Sequence, residues 1–196
     1  ISANYWIFEG GLDGTLPIAD AMKQAAQLGF DGIELCIASQ GVLTQKTTQA
    51  ECETFCAEAQ KNGLEISGVA SGESWGRSPT SNDPEVRQSI IDFTKKALQI
   101  AKWLGTDAYL FVPGAVDVFF LPDGEVVPYD VCYQRATDSI FQIAPTAEKL
   151  GVSIAVENVW NKFLLSPLEM RSFIDQFHSR NVGAYFDVGN VLLTGY

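Results

Sequence analysis

"KLGVSIAVEN", residues 149–158, compresses a helix ending, a glycine, a short apolar run and a carboxylate into ten residues. Gly151 supplies the left-handed residue that closes a last helical turn. Ser153 to Val156 read as a strand buried on both faces. Three earlier stretches repeat the phrase: "QLGFDGIELCIA" at 27–38, "KNGLEISGVA" at 61–70 and "WLGTDAYLFV" at 103–112. Their glycines, Gly29, Gly63, Gly105 and Gly151, are 34, 42 and 46 residues apart. Each interval holds a strand and a crossover helix, so the pattern is β-α repeated and the sheet is parallel.

Helix starts are marked by side chains that can hold the first free N–H groups. Thr48 with Glu51 and Ser166 with Glu169 have capping-box spacing, Pro167 suits a first helical position, and Asp83-Pro84 opens another helix. The pattern predicts helices near 16–28, 48–61, 84–104, 129–150 and 167–177, with a kink or break at Pro145. Strands are predicted near 4–8, 32–37, 65–70, 108–112, 153–157 and 183–187.

Six such strands fit an open doubly wound sheet or part of an eight-stranded barrel. The first would carry G-x-G-x-x-G after its first strand. The loop there is "FEGGLDGTLP", whose glycines at 10, 11 and 14 do not fit. A barrel instead gathers polar residues at the C-terminal ends of several strands. Glu34, Glu73, Glu157 and Asp187 hold such places. The expected fold is therefore a (β/α)8 barrel represented through about its sixth strand. No linker divides residues 1–196, which read as one domain. The last two β-α units are expected to lie outside it, because six strands alone leave two long edges unpaired.

Composition narrows the function. The chain has 196 residues, 46% hydrophobic and 19% charged, as a globular protein does. No apolar run approaches the ~20 residues of a membrane span. No leader pattern opens the sequence, so a cytoplasmic location is expected, with a removed leader left open by the start at Ile1. Cys36, Cys52, Cys56 and Cys132 form no disulfide framework and read as packing thiols. A net charge of −11 argues against nucleic acid as a partner. A small anionic substrate met by a few local cations stays open.

Glu157 and Asp187 end neighbouring strands, in "IAVE" and "AYFDVGN". A buried, unpaired carboxylate is very costly. Two of them, ~5 Å apart at adjacent strand ends, can share a divalent cation. Such a cation polarises a carbonyl or hydroxyl oxygen, and a carboxylate beside it can move a proton at the adjacent carbon. Carboxylate ligands suit Mn²⁺, Co²⁺ or Mg²⁺, with Mn²⁺ first and Zn²⁺ also admissible.

In "LGFDGIEL", "AVENVWNKFLLSPLEM" and "GAYFDVGN" the chain resembles the xylose isomerase-like TIM barrels, above all sugar and sugar-phosphate isomerases and 3-epimerases related to tagatose/psicose 3-epimerase. The resemblance implies that Glu157 and Asp187 bind the metal, with a His and a second Glu on strands seven and eight. It implies that Glu157 also serves as acid/base, through a cis-enediolate, without nicotinamide or flavin. Glu34 matches a mouth-lining, substrate-contacting Glu. Asn190 stands where many ketose epimerases have a substrate-contacting His and sugar-phosphate relatives can have Asn, which weakens the case for a free ketose. The implied partner is a small sugar or sugar phosphate, and a homo-oligomer is compatible with it. The rival readings are a metal-dependent lyase, such as a dehydratase of keto-inositols, and a sugar-binding barrel without turnover.

Other residues need placing. Trp75 and Trp160 can form an apolar wall for a sugar. "GESWG" at 72–76 has the G-x-S-x-G spacing of a nucleophile elbow, but "RSPTSNDPE" replaces the required helix, so Ser74 is set aside. His178, the only histidine, reads as a helix C-terminal residue. The apurinic endonucleases of the same superfamily use several histidines around zinc, which one histidine does not support.

Overall fold

The computed structural model describes residues 1–121 and 123–195. Its sheet has six parallel strands in sequential order: β1 (Ser2–Asn4), β2 (Gly32–Cys36), β3 (Glu65–Ala70), β4 (Ala108–Phe111), β5 (Ser153–Glu157) and β6 (Val182–Tyr185). Helices α1 (Ile18–Gln27), α2 (Gln49–Lys61), the single turn α3 (Glu73–Gly76), α4 (Pro84–Trp103), α5 (Tyr129–Leu150), α6 (Pro167–Asp175) and α7 (Val188–Thr194) fill the connections. The doubly wound alternative required the chain to reverse its strand order midway, and it does not.

One hydrogen bond shows that the sheet curls. Tyr185 on β6 donates to Glu34 on β2 at 2.9 Å. In a flat sheet those strands would stand four spacings apart, roughly 19 Å, beyond the reach of the two side chains. The alternation of side chains then separates two apolar regions. Ile33, Leu35, Val69, Tyr109, Phe111, Ile154 and Val156 point outward into the main core beneath the helices. Ala70 and Leu110, with Val112, point inward and meet Trp6, Cys36, Trp75, Val159 and Tyr185. That inner region is the barrel lumen.

The local signals act as expected at most helix ends. Gly29, Gly63, Gly105 and Gly151 all take positive φ, between 66° and 84°, where a side chain would be strained. Thr48 and Glu51 make a reciprocal capping box, and Asp83 caps α4 through the Glu85 N–H at 2.8 Å. Ser166 caps α6 through Glu169 N–H at 3.2 Å, but the Glu169 carboxylate reaches back to Leu165 N–H at 2.6 Å instead of closing a box.

Four expectations need correction. The first strand ends at Asn4, not at residue 8, because the Asn4 side chain accepts the Trp6 N–H at 2.8 Å and starts a 3-10 turn over Tyr5–Ile7. The sixth ends at Tyr185, two residues short of Asp187, which caps α7. Helices α3 and α7 were not anticipated. Of the kink or break expected at Pro145, the break does not occur: helix α5 runs on through it, with Pro145 on an exposed side where water can meet the carbonyl it leaves unpaired.

Candidate active site

Glu157 is the last residue of β5, and the sheet register sets it beside Tyr185 on β6. Its carboxylate accepts no hydrogen bond from any described residue. Its pKa is pushed up to about 7, first by burial, then by the negative charges of Asp187 and Glu34. Three carboxylates from β2, β5 and the end of β6 therefore act on one another at the lumen. Glu34 is the most enclosed, 8% exposed. It accepts hydrogen bonds from Asn4 at 2.6 Å and Tyr185 at 2.9 Å. Burial raises its pKa, and these two bonds oppose that rise. A methyl group on Gly68 would sit 2.9 Å from the other Glu34 oxygen, so glycine is what leaves this carboxylate its room.

Asp187 is positioned from both sides. One of its carboxylate oxygens accepts the Asn190 N–H at 2.6 Å, and its own N–H donates to the Asn158 side chain at 2.8 Å. Asn158 donates to the Asp187 carbonyl at 2.9 Å, while the Asn190 amide donates to the Asn158 carbonyl at 2.8 Å. These bonds lock the ends of β5 and β6 together, which fixes where the Glu157 and Asp187 side chains start. The Asn190 side chain is thus engaged in holding the two strand ends.

Trp75 and Trp160 stack with centroids 5.8 Å apart and planes 25° from parallel. Phe119 and Phe120 complete the group, 5.1 and 5.3 Å from Trp160. Trp75 also packs on the lumen residues, so this wall is continuous with the barrel interior. It rests on α3, where Glu73 accepts from Ser39 N–H at 2.6 Å and forms an ion pair with Arg77 at 2.5 Å. Glu73 is therefore committed to joining loops and stands apart from the three lumen carboxylates.

Comparison with known proteins bears on the family and the fold. Residues 22–196 match the family described as Xylose isomerase-like TIM barrel. The chain belongs to that family. Fructoselysine 3-epimerase of Escherichia coli O157:H7 is 23% identical over 143 residues, covering 72% of this chain and 50% of that protein. The chain thus spans half the length of this curated relative. A D-psicose 3-epimerase solved with D-tagatose, from Clostridium cellulolyticum H10, superposes with a TM-score of 0.78 at 18% identity, covering 97% of this chain and 64% of that one. A D-psicose 3-epimerase solved in the presence of D-fructose gives 0.76 at 21%, covering 91% and 60%. At these identities the structures establish a shared fold.

The lumen of this xylose isomerase-like barrel suits a cation chemically. A carboxylate without a hydrogen-bond donor, among two further carboxylates, is relieved by positive charge. Among the described residues no three His, Cys, Asp or Glu side chains converge closely enough to hold a metal by themselves. Glu157 and Asp187 would thus supply part of a ligand set. Ser74 lies within the one-turn α3, without the long helix an elbow needs, and His178 follows α6 at φ 49°. All four cysteines are free. Reading the sequence missed Asn4, Asn158 and Tyr185. Strand alternation held a signal for Tyr185, which shares a face with Asp187 two residues on.

Proposed function

We propose that the protein is a metal-dependent isomerase acting on a sugar or sugar phosphate, most specifically an epimerase at the carbon beside a ketose carbonyl. The observation that carries this reading is that Glu157 at the end of β5 and Asp187 at the start of α7, tied together by Asn158, lie beside an aromatic wall at a barrel lumen. The names of the relatives support it, since a 3-epimerase inverts a carbon whose proton is acidified by the adjacent carbonyl. Mn²⁺ held by Glu157 and Asp187, or Mg²⁺, Co²⁺ or Zn²⁺ in its place, would supply Lewis-acid stabilisation of charge developing on the substrate oxygens.

The remaining work falls to the chain's own side chains. A Glu157 oxygen takes the proton from the carbon next to the carbonyl, and the C–H electron pair moves to form an enediolate. A carboxylate at the lumen, with no hydrogen-bond donor among the described residues occupying it, has an oxygen free to take that proton. Return of a proton to the opposite face requires a second acid. Glu34 is a poor candidate, being enclosed and occupied by Asn4 and Tyr185, and acts here by lining the lumen. Trp75 and Trp160 offer flat apolar surface to the sugar's C–H face and exclude water from it.

Glu157→Gln is expected to abolish turnover while leaving the fold intact, because it removes a charged ligand and the proton-transfer group together. Asp187→Asn is expected mainly to weaken metal affinity, with part of the activity recovered in excess metal. Metal analysis, solvent proton exchange into the substrate and product mass on the complete protein test both. Loss of water from the product would establish the lyase instead, and full activity after chelation would overturn the metal-dependent reading.

A further inference from the structure

The aromatic wall is assembled from three separate loops, following β3, β4 and β5, and a single buried side chain joins two of them. Asn161 is 1% exposed. Its amide donates to the Gly114 carbonyl at 2.5 Å, and its side-chain oxygen accepts the Phe163 N–H at 3.1 Å. Its backbone carbonyl accepts from Val116 and Asp117 N–H at 3.1 and 3.3 Å. Lys162 adds an ion pair to Asp117 at 2.5 Å. Lys162 and Leu164 hold φ values of 59° and 54°, conformations that non-glycine residues keep only where their surroundings impose them.

The loop after β3 is fastened to the loop after β4 in the same way. The Thr80 hydroxyl bonds both the carbonyl and the N–H of Ala115 at 3.1 Å. Glu125 accepts from the Ser81 hydroxyl at 2.8 Å and Asn82 N–H at 2.6 Å. Arg135, from α5, donates to the Thr80 carbonyl at 2.9 Å. Trp75, Phe119, Phe120 and Trp160 ride on this joined frame.

We infer that Asn161 is a positioning residue for substrate binding. It acts through its neighbour Trp160, holding that ring against Trp75 and Phe119 so that the wall stands ready before the sugar arrives. A preassembled surface avoids ordering side chains on binding. The inference rests on the proposed sugar site in one respect: that the substrate lies against this wall.

The test compares Asn161→Ala and Asn161→Asp with the unaltered full chain. The aspartate is nearly isosteric. It keeps the acceptor for Phe163 N–H and turns the donation to Gly114 into a carboxylate facing a carbonyl, breaking that tie without opening a cavity. Melting curves of both variants separate release of the rings from unfolding. The first readout needs no substrate: the circular dichroism couplet of two coupled indoles, with Trp75→Phe and Trp160→Phe marking its complete loss. The second is KM against kcat for D-psicose. Both Asn161 variants are expected to lose most of the couplet, with KM up about tenfold, the equivalent of one lost hydrogen bond, and kcat changed far less. A couplet retained in variants that melt earlier would make Asn161 a structural residue and overturn the inference. If the unaltered protein neither binds nor turns over the ketose, the sugar site falls, whereas the couplet still reports whether Asn161 holds the rings.

Discussion

Glu157 without a cation keeps its proton to about pH 7 in the folded chain, against an ordinary value of 4.5. The folded state therefore binds that proton more tightly than the unfolded state. Its stabilising effect is complete below about pH 4.5 and is lost as pH rises through about 7. In chelator, the melting temperature should fall across that window. Glu157→Gln should shrink the slope, and the raised pKa of Glu34 should leave a remainder of the same sign. Saturating Mn²⁺ should raise the melting temperature most at the upper end. Thermal scans at several pH values decide this, and an identical slope in the Gln variant would refute it. A carboxylate at the end of an apolar strand was conspicuous in the sequence, so Glu157 and Asp187 could be picked out. Asn158 and Asn161 could not be given roles, because an amide's function is set by partners 29 and 47 residues away.

Elements were most legible where the deciding contacts are local. The box of Thr48 and Glu51 uses residues three apart, so it could be read and α2 began where expected. Thr48→Ala is expected to cost about 1 kcal/mol, measured by urea denaturation, with no change at the lumen. The first strand was misjudged because its end depends on one side chain, Asn4, folding back on its own backbone. The start of α7 was missed for a related reason. Asp187 was assigned to chemistry, and it also caps that helix through Asn190 N–H. The cap uses one carboxylate oxygen, which leaves the other for the proposed metal. Asp187→Asn should keep the cap, since asparagine caps about as well as aspartate. The loss of metal affinity should then come without loss of helix signal in circular dichroism.

At the scale of the whole molecule, the Gly-punctuated repeat made the parallel order readable, whereas curvature required contacts between distant strands. The Tyr185–Glu34 bond is such a contact. Tyr185→Phe leaves an enclosed carboxylate with Asn4 as its donor and should destabilise by about 1–3 kcal/mol, read from chemical denaturation. A groove of 730 Å³ opens beside the proposed site, with walls that include Asn158, Trp160, Asn190, Met170 and Phe186. Leu168, Phe186, Leu192 and Leu193 are all exposed around that side, each by two thirds or more. This apolar face borders β6, where the seventh β-α unit expected of the fold would pack. Residues 1–196 should accordingly bind a hydrophobic dye and sediment above monomer mass as concentration rises. Leu168→Glu with Leu192→Glu should reduce both effects.

The frame of bonds running from Thr80 through Ala115 and Gly114 to Asn161 has a bearing on how substrate range can change. Loops on a barrel are commonly treated as interchangeable parts, each exchanged alone for a new preference. Here an exchange after β4 alone would strip partners from both flanking loops and disturb rings that it never replaced. On the proposed sugar site, a graft aimed at a new preference should carry the three loops together, and substitutions gathered in one of them should show effects that depend on the other two.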